Sequence, residues 1–245
     1  MKKLYYDLHI HSCLSPCGDN DNTPNNIAGM AHLCGLDIVA LTDHNTARNC
    51  PAFFKAAEKY DIIPIAGMEL TTSEDIHLVC LFEKLEDALL FDVFVDENRF
   101  KIKNKPELFG RQLVLDENDE PVAEIESLLI NATNISINDA YEVVEKYGGI
   151  CYPAHIDRES NGVIAILGSL PQDAGFKIYE LRDENNIKIY SKLYNIESKD
   201  FVIGSDAHYL TDIKDKKNHL EFEDELVDKT LIKKRLFEIL RRNRK

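Results

Sequence analysis

Leu4-Tyr5-Tyr6-Asp7-Leu8-His9-Ile10-His11 opens the chain with an apolar and aromatic run that finishes in two histidines. Residues of these types fit a pleated, half-buried surface, so the run reads as a strand. Side chains alternate along a strand, which predicts Asp7, His9 and His11 on one side and Leu8 and Ile10 on the other. Working outward, six further runs of this kind occur at 37–41, 62–66, 77–82, 149–152, 176–181 and 201–203. Helix-like stretches separate several of them. Thr23-Pro24-Asn25-Asn26 is a helix entry before the segment from Ile27 to Cys34, with Gly35 as its stop; Asn49 to Tyr60 and Ser136 to Tyr147 follow the same pattern. Strands alternating with helices predict parallel βαβ units in a barrel-like α/β fold.

Residues 83–134 break this rhythm. A charged helical piece from Leu85 to Phe100 leads to a hairpin between Arg111 and Glu124, turning at Asn118-Asp119. The expected organisation is therefore a barrel domain, 1–82 and 135–245, with an inserted helical and hairpin subdomain, 83–134, over the active-site mouth. Arg99, Lys101, Lys103, Lys105 and Arg111 concentrate positive charge there, a hint that the insertion meets an anion; ordinary solvated cations give the same pattern. The segment from Leu226 to Leu240 carries a helical apolar stripe, and the basic ending Arg241-Arg242-Asn243-Arg244-Lys245 complements the negative end of that helix's dipole.

The 245 residues are 44% hydrophobic and 29% charged, enough apolar material for a sizeable core, which excludes a disordered or fibrous chain. A net charge of −14 repels nucleic-acid backbones and anionic membranes, so neither long nucleic acid nor a membrane is an expected partner. It leaves open a small phosphorylated substrate held by metal ions, because the cation is then the largest local charge. Neither a signal peptide nor an 18-residue apolar run is legible, and the six cysteines are scattered without a CxxC pair. Free thiols in a reducing cytoplasm are the expectation.

The chemistry gathers where strands begin and end. Beyond His9 and His11 come Thr42-Asp43-His44-Asn45, Gly67-Met68-Glu69, His77, Pro153-Ala154-His155-Ile156-Asp157-Arg158 and Gly204-Ser205-Asp206-Ala207-His208. Six of the eight histidines lie at such positions, while His32 and His219 read as structural. In a barrel the carboxyl ends of the strands share one face, where distant segments meet. Imidazoles mixed with Glu69 and Asp206, without thiolates among the strand ends, suit Zn, Mn or Fe. These ligands are too many for one tetrahedral ion, so a cluster of two or three divalent ions is expected, with Glu69 bridging.

The motifs Asp7-Leu8-His9-Ile10-His11-Ser12, Thr42-Asp43-His44-Asn45, Gly67-Met68-Glu69-Leu70 with His77, Pro153 to Arg158, and Gly204 to His208 stand in this order. The whole resembles the polymerase and histidinol phosphatase (PHP) family of metal-dependent phosphoesterases. The resemblance implies a distorted seven-stranded (β/α)7 barrel with a trinuclear site. It assigns His9, His11, Glu69 and Asp206 to a first metal, Glu69, His77 and His155 to a second, and His44 and His208 to a third. Relatives add an Asp or His about five to seven residues after the second histidine of the first motif, a mixed nitrogen and oxygen site. Here that loop offers Asp19, the first choice as an oxygen ligand, with Cys17 and Asp21 open beside it.

The implied activity is hydrolysis of a small phosphomonoester or nucleotide, with a metal-bound hydroxide rather than a side chain as nucleophile. Arg158 and Arg182 are candidates to receive the phosphate, and Asp7 and Asp43 to orient ligand imidazoles. Alternatives are a phosphodiesterase acting on nucleic-acid ends and a non-catalytic, metal-loaded binding module. An amidohydrolase is disfavoured, because no lysine ends a predicted strand to serve as the usual carbamylated bridge.

Overall fold

The computed structural model describes residues 1–222 and 228–241. The first half runs β1 (Lys2–Ile10), α1 (Pro24–Leu33), β2 (Ile38–Leu41), α2 (Cys50–Lys59), β3 (Ile63–Thr71) and β4 (His77–Phe82). Then follow α3 (Leu85–Asn98), α4 (Pro106–Phe109), β5 (Leu113–Leu115), β6 (Pro121–Glu124), α5 (Ile137–Lys146) and β7 (Gly149–Pro153). The chain continues through α6 (Val163–Leu167), β8 (Tyr179–Leu181), α7 (Ile187–Tyr194), β9 (Phe201–Ile203), β10 (His219–Phe222) and α8 (Lys229–Leu240). Three helices are capped by side chains at their starts, whereas Asn49 before α2 makes no such cap. Thr23 accepts from the Asn26 N–H, Ser136 from the Asp139 N–H, and Asp228 from the Thr230 and Leu231 N–H groups.

All seven expected runs contain strands, but their pairing differs from a closed, all-parallel barrel. One curled sheet has six strands in the order β10-β1-β2-β3-β4-β7, and β8 and β9 form a separate parallel pair. β1, β2 and β3 are mutually parallel, whereas β4 runs antiparallel to both β3 and β7. The reason is the short 72–76 connection, which reverses the chain instead of carrying it through a crossover helix. β10, absent from the sequence expectation, is an edge strand antiparallel to β1; its half-exposed, charged sequence hides it from an apolar-run criterion. The β8–β9 pair and its flanking segments meet the sheet outside its ladders, by bonds such as Ile156 N–H to Glu180 O and His11 N–H to Ala207 O, both at 2.9 Å.

The sheet has two apolar faces. On one, Val39, Leu41, Ala66, Met68, Leu78 and Cys80 pack under Ala28, Phe53, Phe91 and Val144 from α1, α2, α3 and α5. On the other, Leu4, Tyr6, Leu8, Ile38, Ala40, Ile63, Ile65, Val79 and Leu81 pack against Ile232, Leu236, Phe237 and Leu240 of α8.

Within 83–134, α3 lies on the helix-covered face through Ala88, Phe91 and Val95, and the β5–β6 hairpin turns with Asp119 at φ +62. Val114, Ile125 and Leu129 close on Leu14, in the loop that follows His11. Three of the five cations expected to meet an anion are instead engaged internally. Arg99 is buried on Asp96, Ser127 and Leu128, Lys101 pairs with Asp96, and Arg111 with Glu124. Of the basic ending only Arg241 is described, and its guanidinium donates to Gly148 O at 3.1 Å. Leu226, Arg242, Asn243, Arg244 and Lys245 lie outside the described residues. All six thiols are free, and no helix among the described residues is long and apolar enough to cross a membrane.

Candidate metal centre

Strand alternation delivers most of the site. The rows that pack against α8 continue past their apolar residues into polar ones: Ile38 and Ala40 lead to Thr42 and His44, Ile63 and Ile65 to Gly67 and Glu69, and Val79 and Leu81 stand after His77. Because β4 runs backwards, the first residue of that strand reaches the same rim as the last residues of β2 and β3. Strict alternation fails on β1. Leu4, Tyr6 and Leu8 lie on the α8 face but Ile10 lies on the other, and the β1–β2 register shifts between Asp7 and Ile10. This irregularity turns His9 and His11 toward Glu69 and separates them from Asp7, contrary to the side-chain pattern read from sequence. Asp7 accepts from the backbone N–H groups of His9 and Ser205, both at 3.2 Å, and no imidazole hydrogen-bonds to it.

Three groups of ligand atoms converge: His9, His11, Glu69 and Asp206; His44, Glu69 and His77; and His11, His44 and His208. In the first, His9 Nε2 and His11 Nε2 lie 3.1 Å apart, 3.3 Å from the Glu69 oxygens, and 3.6 and 3.4 Å from Asp206 Oδ1. In the second, His77 Nδ1 approaches Glu69 Oε1 at 2.9 Å and His44 Nδ1 faces Oε2 at 3.1 Å; beside it His155 Nε2 lies 3.0 Å from Oε1. His155 belongs to none of the three groups but abuts Glu69, and His44 faces the other oxygen of the same carboxylate. In the third, the His11 ring stacks on His208 with centroids 4.2 Å apart and lies 4.6 Å from His44. His155 and Asp206 sit at φ +29 and +53, backbone conformations that side-chain-bearing residues rarely adopt and that turn these groups inward.

Asp19 does not join the third group. Its Oδ1 accepts from the Asp21 N–H at 2.9 Å, within the loop's own turn. Cys17 likewise stands outside the three groups, but its Sγ lies 3.1 Å from His44 Nε2.

The surrounding hydrogen bonds orient these rings. Glu180 accepts from His9 Nδ1 at 2.8 Å and from the His155 N–H at 3.1 Å, which leaves His9 Nε2 for the cluster. Asp43 accepts from Ser12 and Ser15, and Ser15 Oγ in turn holds His11 Nδ1 at 3.0 Å, so Asp43 acts on His11 through a hydroxyl. Glu180 and Ser15 were not among the expected residues. Glu180 was legible as the polar member of an otherwise apolar row after Ile178 on β8. Gly204 is a glycine because a Cβ there would collide with the Glu180 carboxylate.

The electrostatics are those of a cation site. Burial would raise the Glu69 pKa, yet His77, His9 and His44 hold it well below the usual range. Asp206 is also held low, His11 and His9 outweighing burial. Burial would lower His9, but Glu180 and Glu69 raise it well above its ordinary value; His11 is raised to about 9 in the same way by Asp206 and Glu69. Burial, with a further push from His11, lowers His208 to about 4. Glu69 Oε2, Asp206 Oδ1, His44 Nδ1 and His155 Nδ1 are buried without a hydrogen-bond partner. Orphaned buried groups cost about 1–3 kcal/mol each, and divalent ions are the natural partners for this donor set. The residues thus fit the implied metals. Asp206 divides its oxygens accordingly: Oδ2 is taken by Arg158 at 3.0 Å and approached by Arg182 at 3.9 Å, both guanidiniums half-exposed at the rim.

Comparison with known proteins gives this geometry a family. An uncharacterised protein of Methanocaldococcus jannaschii is 34% identical over 76 residues, a match covering 28% of this chain and 44% of the relative. The fold is similar to that of a lesion-specific endonuclease from Pyrococcus furiosus, with a TM-score of 0.64 and 20% identity over 95% of this chain and 55% of that one. It is also similar to that of a Bifidobacterium adolescentis protein assigned as a metal-dependent phosphoesterase, with a TM-score of 0.58 and 16% identity over 94% and 96% of the two chains. The chain thus spans less than two thirds of the first two relatives. The PHP domain model matches residues 7–147, more than half the chain and four of the six clustered histidines, and the protein belongs to the PHP domain family.

Proposed function

We propose that the protein hydrolyses phosphoesters at this cluster, with a small phosphomonoester or nucleotide as substrate. The observation that carries the reading is the convergence of buried imidazoles and carboxylates in three groups, several of their atoms unpaired. His9, His11, Glu69 and Asp206 would hold one ion, Glu69, His77 and His155 a second, and His44 and His208 a third, drawn from Zn, Mn or Fe. Such ions supply Lewis acidity toward phosphoryl oxygens and a lowered pKa for water at neutral pH.

The chain's own residues then bind and orient the substrate. Arg158 and Arg182 stand at the rim with donors directed at Asp206, in reach of an anion presented to the cluster from solvent. Glu180 and Ser15 fix the ligand tautomers of His9 and His11. Residues 83–134 act as a separate inserted unit bounding the mouth; the Leu129 and Asn131 carbonyls accept from the Asn45 side chain, directly after His44. Six free thiols suit a reducing compartment such as the cytoplasm.

A second reading, phosphodiester cleavage in nucleic acid, is favoured by the fold shared with an endonuclease. That likeness removes the force of excluding long nucleic acid on net charge alone. The test supplies Mn, Zn or Fe to the metal-free protein and compares nucleotides, sugar phosphates, diesters and oligonucleotides. Turnover of monoesters that disappears in the His9→Ala, His11→Ala double variant supports the proposal. Turnover confined to oligonucleotides moves it to the second reading, and a loaded protein inert on every substrate overturns both.

A further inference from the structure

We propose that the Cys17 thiolate completes the third ion's coordination, giving that ion a sulfur ligand beside the His44 and His208 nitrogens. The inference rests on the polynuclear reading above. Cys17 Sγ stands 3.1 Å from His44 Nε2. Two ligands on one tetrahedral ion with zinc-like bond lengths lie about 3.5 Å apart, so only a few tenths of an ångström separate this pair from coordination. His44 Nδ1 is directed at Glu69 Oε2, which leaves Nε2 as the nitrogen facing the loop, and the atom it meets there is sulfur. His208 Nδ1 is held by the Asp206 carbonyl at 2.8 Å, so its Nε2 remains for a metal. The convergence of His11, His44 and His208 marks a cation position here.

The loop is folded to present the thiol. Gly18 N–H donates to Ser15 O and Asp19 N–H to His208 O, both at 2.9 Å, which ties the segment around Cys17 to the third group. Gly18 permits this closure, because a Cβ there would collide with the Ser12 carbonyl. Asp19, the competing ligand, has one carboxylate oxygen engaged by the Asp21 amide and, unlike Cys17, no contact with the His44 ring. Cys17 is also the exposed thiol, reachable from solvent, whereas Cys13, Cys50, Cys80 and Cys151 are buried. On binding, the thiol proton passes to solvent and sulfur takes a coordination position from water. A nitrogen and sulfur donor set selects Zn, Fe or Co over Mn and Mg at this position, unlike the nitrogen and oxygen set of the other two.

Cobalt(II) reconstitution of the metal-free full chain reads this directly. The expected result is a thiolate-to-cobalt charge-transfer band in the near ultraviolet. Cys17→Ser abolishes the band and lowers the bound cobalt by one ion per chain, whereas Asp19→Asn leaves both unchanged. Cobalt bound to the unaltered protein without the band, or a band that survives Cys17→Ser, overturns the assignment while leaving the polynuclear reading intact. A protein that takes up no cobalt at all overturns that reading and this proposal with it.

Discussion

Glu180 decides which nitrogen of His9 faces the cluster, since a carboxylate accepting from Nδ1–H at 2.8 Å leaves Nε2 unprotonated in the neutral ring. Removing such a partner typically weakens metal binding by about 10–100-fold. Glu180→Gln is expected to lose zinc to a chromophoric chelator within that range, with its circular dichroism unchanged; full retention would mean that packing alone orients the ring. Glu180 also shows where single-residue reading stops. His9, His11, Glu69, His77, His155 and Asp206 were legible because strand ends in an α/β fold share one rim. Glu180 lies inside its strand, on the same α8-facing row as Ile178, and a search confined to strand ends passes over it. Asp7 was placed beside the histidines because alternation assumes an unbroken strand, and a register shift between Asp7 and Ile10 leaves no mark in residue types.

At the level of elements, Asn49 couples the insertion to the metal loop. Its Nδ2 donates to Ser12 Oγ at 2.9 Å and to Leu113 O at 3.2 Å, and its Oδ1 accepts from Leu115 N–H at 2.9 Å, all from a fully buried position. Asn49→Ala leaves these groups unpaired and is expected to destabilise the fold by about 2–3 kcal/mol, read as a lower urea midpoint with unchanged slope. A change under about 0.5 kcal/mol, the range of ordinary surface substitutions, would show that the hairpin is held by its apolar contacts with Leu14 instead.

Asp96 makes the insertion acid-sensitive. Burial pushes its carboxyl up, but Lys101 and Arg99 outweigh it and hold the pKa below the usual value. A depressed carboxyl stabilises the fold above its unfolded pKa, near 3.8, and loses that contribution as pH falls through the lower folded value. Amide exchange around 96–103 and 126–128 is therefore expected to accelerate below about pH 4, and Asp96→Asn to remove that step. The helices here follow capping and apolar spacing closely enough to be legible, α1 and α5 above all. β10 was not, because a short edge strand needs no apolar run of its own.

Across the whole molecule, the acidic balance and the arrangement of the cations bear on which substrate the cluster meets. The net charge is −14, and Arg99, Lys101 and Arg111 are held by internal partners, leaving Lys103 and Lys105 as exposed cations of that stretch with no ion pair among the described residues. Arg158 and Arg182 at the rim offer about two cationic contacts beside the cluster, fewer than a long phosphate backbone would engage. A protein making 6–10 phosphate contacts loses about 10³–10⁵ in affinity between 50 and 200 mM salt, whereas about two contacts give close to a tenfold loss. The small-substrate reading therefore expects kcat/KM for a mononucleotide to fall by about tenfold or less over that interval. Measuring the same parameter on a labelled oligonucleotide separates the two readings: efficient cleavage with a loss of about a thousandfold would place a polyanion across this surface despite its charge.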